Sequence, residues 1–240
     1  MNASPTSSLR APGSSACRPA DSVFADRADA GRQLAARLTS LRSSDPVVVG
    51  LPRGGVPVAS EVARALHAPL DVIVVRKLGL PIAPEVAMGA IGEDGVRVLN
   101  DDIVRQVGVS AGKLRTVEYR ERAELEAREA LYRGGRRRLD LTGRVVIIVD
   151  DGIATGATAR VACQVARQRG AARVVMAAPV MPPDADLRMG ADEIVLVIQP
   201  PQFWAVGAHY RDFTPTTDTE VVALLAAGPV SSPGAGPTAR

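Results

Sequence analysis

The stretch Arg144–Arg160, RVVIIVDDGIATGATAR, carries the clearest signals of fold and function in this chain. Five branched apolar residues, Val145–Val149, lead directly into two acids, Asp150 and Asp151. A loop of Gly, Ile, Ala and Thr follows, and a helical pattern begins at about Ala157. A short apolar run that ends in a turn predicts a strand buried on both faces. The order strand, loop, helix is typical of a parallel sheet.

Similar strands and helices are predicted along the rest of the chain. Further buried strands are predicted over 45–50 (DPVVVG), 70–79 (LDVIVVRKLG), 172–180 (ARVVMAAPV) and 192–199 (DEIVLVIQ), with a small one over 96–100 (VRVLN). Helices are predicted from Asp21 or Ser22 to Leu38, over 56–68, after Asn100, over Ser110–Arg133, over 157–169, and between the last two strands. This alternation predicts an α/β fold with a doubly wound parallel sheet.

Three unusual loops follow strands of the predicted sheet. They are Pro52–Gly55, Arg76–Lys77 and Asp150–Thr158. Because ligands bind beyond the carboxyl ends of the strands in such sheets, we expect the three loops to form one site. Residues 78–95, LGLPIAPEVAMGAIGEDG, are rich in Pro and Gly and predict a long loop with one short strand near 88–91.

The loop after the acids is suited to binding an anion. Gly152 and Gly156 allow a close backbone approach, and Thr155 and Thr158 offer hydroxyls at the start of a helix. The two acids repel phosphate, but they can accept hydrogen bonds from hydroxyl groups beside it. Ribose 5-phosphate combines a phosphate with a vicinal diol. The alternative is that the acids merely end a strand and cap a helix.

Cations in the other two loops suggest a second phosphate-binding region. Arg53 lies beside two glycines, and Arg76 and Lys77 follow a predicted buried strand. Such cations can bind a further phosphate or a diphosphate. For Arg76 and Lys77, a solvated strand terminus is the alternative.

These motifs resemble those of the type I phosphoribosyltransferases. The segment VVIIVDDGIATGATAR resembles the family's motif for phosphoribosyl diphosphate (PRPP). GLPRGGVPVA is similar to its pyrophosphate loop, and VVRK to a second diphosphate-contacting strand end. The resemblance covers about Phe24 to Leu225 and implies this family's fold, with a small hood and lid region.

The resemblance also implies a role for each motif residue. Asp150 and Asp151 would be the catalytic acids that hold the ribose 2- and 3-hydroxyls. The 5-phosphate would lie in a cradle of Ala154, Thr155, Gly156, Ala157 and Thr158. The diphosphate would contact Arg53, Gly54, Arg76 and Lys77, with a cis peptide at Pro52–Arg53. Mg²⁺ would be held mainly through the substrate.

The acceptor side of the implied site is less specific. PPQFWAVGAHYRDF resembles the hood of purine salvage enzymes, in which Trp204 or Phe203 would stack on a base. Both aromatics could equally be core or edge residues. Ala154 stands where 6-oxopurine enzymes carry an aspartate, which argues against hypoxanthine or guanine as acceptor.

Acid–base groups of the implied reaction are not identified by any motif. His209 could transfer a proton, although an ordinary surface histidine is the favoured interpretation. Glu85, Glu93 and Asp94 are further candidates, and for each of them a solvated loop acid is favoured.

The resemblance implies an enzyme that transfers the phosphoribosyl group of PRPP to a nucleobase or a similar small nitrogenous acceptor and releases diphosphate. The alternative is a catalytically weak PRPP- or nucleotide-binding regulatory protein of the same fold. The family commonly dimerises, so a homodimer is expected.

The composition indicates which kinds of binding partner and which cellular compartment to expect. The net charge is only +3, and basic residues do not alternate with aromatics, so a nucleic-acid partner is not expected. No apolar run reaches membrane-spanning length. Cys17 and Cys163 form no disulfide or metal pattern, which favours the cytoplasm.

One domain is expected over 21–227, with a lid over about 78–140 and a hood over about 199–215. Residues 1–20 and 228–240 are Ser-, Pro- and Ala- or Gly-rich and are expected to be disordered tails. For residues 1–20, a transit peptide or an early start codon is the alternative.

Overall fold

The computed structural model describes residues 23–185 and 189–228. The predicted tails lie outside these residues, apart from Gly228, and so do Asp21 and Ser22. The strands are β1 (Val47–Gly50), β2 (Leu70–Val72), β3 (Val75–Leu80), β4 (Ala83–Gly92), β5 (Arg97–Leu99), β6 (Val145–Val149), β7 (Arg173–Val180) and β8 (Glu193–Ile198). The α-helices are α1 (Arg27–Leu38), α2 (Gly55–Leu66), α3 (Asp101–Val107), α4 (Ala111–Arg133), α5 (Ala157–Gln168) and α6 (Asp218–Ala227).

The central sheet has the order β2-β1-β6-β7-β8, and all its strands are parallel. β6 lies at its centre, with Ile148 paired to Val49 on one side and to Met176 on the other. Helices α1 and α2 cover one face of this sheet, and α5 covers the other. The predicted doubly wound α/β fold is therefore confirmed.

Both faces of β6 are buried, which explains its unbroken apolar sequence. Ile147 packs in the cluster formed with α1 and α2, whereas Ile148 packs in the cluster formed with α5. Since successive side chains point to opposite faces of a strand, a strand covered on both faces needs apolar residues at every position. The same arrangement directs the end of β6 into the loop that carries the acids.

Helix α1 begins later than predicted. Its N-cap is Asp26, whose carboxylate accepts a 2.7 Å hydrogen bond from the amide of Asp29. Before it, the amide of Phe24 donates to the carbonyl of His209, and Phe24 forms a bridge with Tyr210. This pairing holds the chain extended, so the helix starts only after it.

A second, antiparallel sheet has the order β3-β4-β5. Its β4 occupies most of the predicted loop over 78–95 and extends the short strand predicted near 88–91, and β5 lies within the small strand predicted over 96–100. The predicted strand over 70–79 is also wrong as a single element, because it splits between β2 of the central sheet and β3 of this sheet. Two glycines of the antiparallel sheet lie where neighbouring strands approach each other closely. A Cβ on Gly79 would lie 2.2 Å from the carbonyl oxygen of Pro84, and one on Gly89 would lie 2.4 Å from that of Val98.

Helix α4 has nearly the predicted bounds and is mostly exposed, as its i,i+4 Glu–Arg pairs indicate. It starts after Ser110, whose hydroxyl accepts from the amide of Lys113, and ends at Gly134 in the left-handed conformation.

Between β7 and β8 a helix was predicted, but the described residues there, 181–185 and 189–192, form turns and bends. In the described part of the chain, no helix combines the length and apolar character that a membrane crossing requires.

Candidate active site

The acids Asp150 and Asp151 lie at the carboxyl end of β6, where the sheet positions them beside each other. Each carboxylate has one oxygen engaged by the protein. Oδ1 of Asp150 accepts from the amide of Asp151 at 3.0 Å, and Oδ2 of Asp151 accepts from Nε of Arg27 at 2.8 Å. The other oxygen of each carboxylate accepts no hydrogen bond from the residues that the structure describes. The pair therefore offers two adjacent acceptors, which suit two neighbouring hydroxyls.

The backbone around Asp151 is fixed from the hood. The hydroxyl of Tyr210 donates to the carbonyl oxygen of Asp151 at 2.6 Å. Val206 also packs against this turn, since a Cβ on Gly152 would lie 2.4 Å from its Cγ1. Gly152 is thus required by a close approach between the acidic turn and the hood.

Burial gives both acids unusual proton affinities. Burial and the neighbouring charge of Asp151 raise the pKa of Asp150 well above its ordinary value, although Lys77 and Arg27 oppose the shift. Burial likewise raises the pKa of Asp151, against the hydrogen bond and charge of Arg27. Two like charges in a poorly solvated place favour the binding of hydrogen-bond donors or cations.

The loop after the acids forms a cradle at the start of α5. A cavity of about 220 Å³ is lined by the consecutive residues 150–159, together with Lys77 and Val206. Gly156, with φ at +75°, is the N-cap of α5, and no side chain caps this helix end. Because the first N–H groups of a helix lack partners within the helix, they are available to an anion in this cavity. All five predicted cradle residues, Ala154, Thr155, Gly156, Ala157 and Thr158, line it.

A second cavity, of about 470 Å³, also borders the acids. It is lined by Gly54, Arg76, Lys77, Asp150, Asp151 and Arg120, among others. The Pro52–Arg53 peptide bond is cis, as the resemblance implies. Arg53 is exposed and does not line this cavity, whereas Leu51, Pro52 and Gly54 beside it do. The structure thus brings three of the four predicted diphosphate residues to the cavity and leaves Arg53 outside.

Arg76 is held by a residue that the sequence did not indicate. Its Nε and Nη2 atoms both donate to Oε2 of Glu121, at 3.0 and 2.8 Å. Oε1 of Glu121 accepts from Arg120, which also borders the cavity. Both residues belong to α4, whose charge pattern indicated only a solvated helix. Arg76 and Lys77 were predicted to end a strand of the parallel sheet. They lie instead within β3 of the antiparallel sheet.

Gly54 and Gly55 pack directly against the acids. A Cβ on Gly54 would lie 2.0 Å from Oδ2 of Asp151, and one on Gly55 would lie 2.6 Å from the carbonyl oxygen of Val149. Any side chain at either position would displace the acidic turn. The two glycines therefore join the loop after β1 to the end of β6.

The predicted acceptor aromatics do not line either cavity. Trp204 is 87% exposed, whereas the ring of Phe203 is stacked on that of His209 with centroids 5.6 Å apart. His209 is buried, so the surface interpretation was wrong, and burial lowers its pKa. Val206 of the predicted hood lines the cavity at the start of α5.

Glu93 is not a solvated loop acid. It is 1% exposed, and it accepts hydrogen bonds from the amide of Val74 and from Arg133. Burial raises its pKa even though Arg133 opposes the shift. By contrast, Glu85 is exposed and borders a cavity of about 770 Å³ between β4, α3 and the start of α5.

Comparisons with known proteins show which family the chain resembles. A family model described as phosphoribosyl transferase domain matches residues 20–211. The Mycobacterium tuberculosis (strain ATCC 25618 / H37Rv) protein named "Putative phosphoribosyl transferase Rv0571c" is 59% identical over 205 residues, which are 85% of this chain and 46% of that protein. This chain thus spans about half the length of the curated relatives it matches. The crystal structure of TT1426 from Thermus thermophilus is 46% identical, covers 84% of this chain and 97% of its own, and superposes with a TM-score of 0.71.

Proposed function

Because this chain belongs to the phosphoribosyl transferase domain family, we propose that it transfers the 5-phosphoribosyl group of PRPP to a nucleobase or a similar small nitrogenous acceptor and releases diphosphate. One observation carries the proposal. Asp150 and Asp151 each present one unengaged carboxylate oxygen beside a cradle at a helix start. A phosphate with a vicinal diol next to it satisfies both features.

Each part of PRPP has a matching part of the site. The 5-phosphate would accept from N–H groups at the start of α5 and from Thr155 and Thr158. The ribose 2- and 3-hydroxyls would donate to the free oxygens of Asp150 and Asp151. The diphosphate would lie in the cavity of about 470 Å³, where Lys77 and Arg76 supply positive charge.

The reaction breaks the bond between ribose C1 and the diphosphate oxygen, which leaves with the electron pair. A nitrogen of the acceptor forms the new bond to C1 and then loses its proton. Positive charge develops on the ribose ring as the diphosphate departs, and the nearby carboxylates of Asp150 and Asp151 stabilise it electrostatically. The cations around the diphosphate stabilise the negative charge of the leaving group.

The fold also offers a means of excluding water. The β3–β4–β5 sheet lies beside both cavities and carries Lys77, which lines each of them. We propose that this sheet, together with α4, is the lid of the site. Exclusion of water matters because water would otherwise compete with the acceptor at C1.

The residues present fit Mg²⁺ that arrives with the ligand. Among the described residues, no three His, Cys, Asp or Glu side chains converge in a group that could hold a metal. Mg²⁺ prefers phosphate oxygens and water to a cage of protein ligands, and the open cavity beside Lys77 leaves room for both. When bound, the ion would neutralise charge on the diphosphate.

Titration calorimetry with PRPP and Mg²⁺ tests the binding step. We expect the wild-type protein to bind, and the double variant Asp150→Asn with Asp151→Asn to lose at least about 100-fold in affinity, because two charge-assisted hydrogen bonds weaken. A matched control is Asp192→Asn with Glu193→Gln, which removes two adjacent acids at the amino end of β8. The control should bind as the wild type does. Equal affinity in the wild type and the first double variant would contradict the proposal.

Release of diphosphate across a panel of bases tests the transfer step. A base that yields diphosphate and a ribonucleotide identifies the acceptor. Binding of PRPP without diphosphate release for any base would instead favour the regulatory alternative, in which the pocket binds the ligand and does not turn it over.

A further inference from the structure

Arg27, the first residue of α1, is held from three sides beside the acidic pair. Its Nε donates to Oδ2 of Asp151 at 2.8 Å, and its Nη1 donates to the carbonyl oxygen of Thr214 at 2.8 Å. The guanidinium carbon lies 3.9 Å from the ring centroid of Phe213, which is a cation–π contact. A planar guanidinium with three separate contacts has little freedom to rotate.

The pair formed by Arg27 and Asp151 is also enclosed. The two side chains are only 11% and 15% exposed. Gly54 closes the remaining side, since a Cβ there would lie 3.1 Å from Nε of Arg27 and 2.0 Å from Oδ2 of Asp151. Enclosure strengthens the interaction, because little water screens the two charges.

The backbone around Arg27 is fastened to the hood. The amide of Phe24 donates to the carbonyl of His209, and the amide of Arg211 donates to the carbonyl of Phe24, at 3.1 and 2.9 Å. The rings of Phe24 and Tyr210 are in contact, with centroids 5.2 Å apart. Tyr210 in turn bonds the backbone of Asp151. The start of α1 and the hood therefore form one support for the acid.

We infer that Arg27 is a positioning residue, which fixes the carboxylate of Asp151 through Oδ2 so that only Oδ1 is presented to a ribose hydroxyl. This role rests on the proposed function for its biological meaning. Its physical basis, the contact between Arg27 and Asp151, does not depend on the ligand. Arg27 does not itself touch the reacting atoms.

The contact also favours the ionised form of the acid. The hydrogen bond and charge of Arg27 lower the pKa of Asp151, against the burial that raises it. The other groups that face this carboxylate are Asp150, beside it on the same turn, and Tyr210 of the hood. Lys77 of β3 acts chiefly on Asp150. Without Arg27, the carboxylate would lose its cationic partner and its fixed orientation together.

The first test needs no ligand. The pKa of the Asp151 carboxyl is measured by carbon-13 NMR in the free protein, with the Asp151→Asn spectrum as the assignment. We expect Arg27→Gln to raise this pKa and Arg27→Lys to restore it in part. Arg32→Gln, which removes an exposed arginine from the same helix, should leave it unchanged. An unchanged pKa in Arg27→Gln would overturn the inference.

The second test is a double-mutant cycle read by calorimetry with PRPP and Mg²⁺. Arg27→Gln should weaken binding about tenfold or more, which is the effect expected when a charge-assisted hydrogen bond is lost. In the Asp151→Asn background the same change should have little further effect, because Arg27 acts through that acid. A purely structural role would weaken binding equally in both backgrounds and would overturn the inference.

The two tests separate this inference from the proposed function. A wild-type protein that does not bind PRPP, combined with a raised Asp151 pKa in Arg27→Gln, would refute the proposed function alone. A wild-type protein that binds PRPP, combined with an unchanged pKa and affinity in Arg27→Gln, would refute the role of Arg27 alone.

Discussion

At the scale of single residues, the acidic pair shows how a binding site can lower the folding stability of the ligand-free protein. Asp150 follows the buried strand β6 and lies next to Asp151, so burial and the neighbouring charge make its ionised form unfavourable until a ligand donates to it. Sites of this kind are commonly less stable than a neutral substitute would be. The strongly raised pKa of Asp150 therefore has a consequence for folding.

We expect Asp150→Asn to stabilise the free protein while weakening PRPP binding. The amide oxygen of Asn can still accept from the Asp151 amide, whereas the buried charge is removed. A gain of about 1 kcal/mol would raise the melting temperature by about 2–4 °C in a domain of this size. Because the folded-state pKa is raised, the native protein binds more protons than the unfolded chain, and wild-type stability falls as the pH rises. The gain should thus be larger at pH 8 than at pH 5, as measured by scanning calorimetry.

Asp192→Asn is a control for which we expect the opposite change in melting temperature. Arg167 and the amide of Val174 lower the pKa of Asp192, so its ionised form stabilises the fold. That stabilisation is present at neutral pH and is lost as the pH falls through the lowered pKa. Asp192→Asn should therefore lower the melting temperature at pH 8. A lower melting temperature for Asp150→Asn at pH 8 would show that its charge is compensated.

The sequence predicted the local parts of the site because these are consecutive in the chain. The acids and the cradle of α5 lie within one strand–loop–helix unit, which periodicity and turn chemistry reveal. The partner of Asp151 could not be predicted, since Arg27 lies 124 positions away and nothing in its neighbourhood marks it as functional. Glu121 could not be predicted as the partner of Arg76 either. It is one of many charged residues on α4, and the sequence does not show which of them face the site.

At the scale of elements, the last residue of α4, Arg133, connects this helix to the central sheet and to the turn after β4. The side chain of Arg133 is 6% exposed and pairs with Glu93, Glu129 and Asp71. Its Nη2 also donates to the carbonyl oxygen of Val72, which ends β2. One cation thus joins α4, the 3₁₀ turn after β4, and the edge strand of the central sheet.

Arg133→Met should be strongly destabilising. The change keeps most of the side-chain volume but leaves the buried carboxylate of Glu93 without its main cation, which costs about 3–5 kcal/mol in comparable buried pairs. Arg128→Met is the matched control on the same helix, because Arg128 pairs with Glu124 at a more exposed position. Such pairs contribute about 0–1 kcal/mol. Urea unfolding would measure both, and equal small losses would show that the cluster is dispensable.

The strands and helices were predicted correctly where the apolar residues follow a clear pattern. The prediction failed where a glycine is needed for close packing of strands. The strands of the parallel sheet are continuous apolar runs and were recognised as such. Residues 78–95, which include β4, were predicted as a long loop with one short strand near 88–91, because their glycines and prolines are typical of turns. Here Gly79 and Gly89 instead allow neighbouring strands to approach closely, a requirement that only the folded structure reveals.

At the scale of the whole molecule, the two sheets share their hydrophobic core. Leu78 and Met88 of the antiparallel sheet belong to the same buried cluster as Val48 of β1 and Leu34 of α1. On the other side, Gly92 lies so close to α5 that a Cβ would be 2.7 Å from Val161. The antiparallel sheet therefore packs against α5 and contributes to the main buried cluster, although it carries the proposed lid.

We accordingly expect the domain proposed over 21–227 to unfold in a single cooperative transition. A lid with its own core would melt separately, whereas one that shares a core with β1 and α1 cannot lose its packing without exposing theirs. Scanning calorimetry should give a calorimetric enthalpy equal to the van't Hoff enthalpy. Hydrogen exchange should show comparable protection for the amides of β3 and β6 under conditions that report global unfolding. Two calorimetric transitions, or early loss of protection in β3–β5, would show that lid and central sheet are separate units. In that case the closing motion would be independent of the fold that holds Asp150 and Asp151.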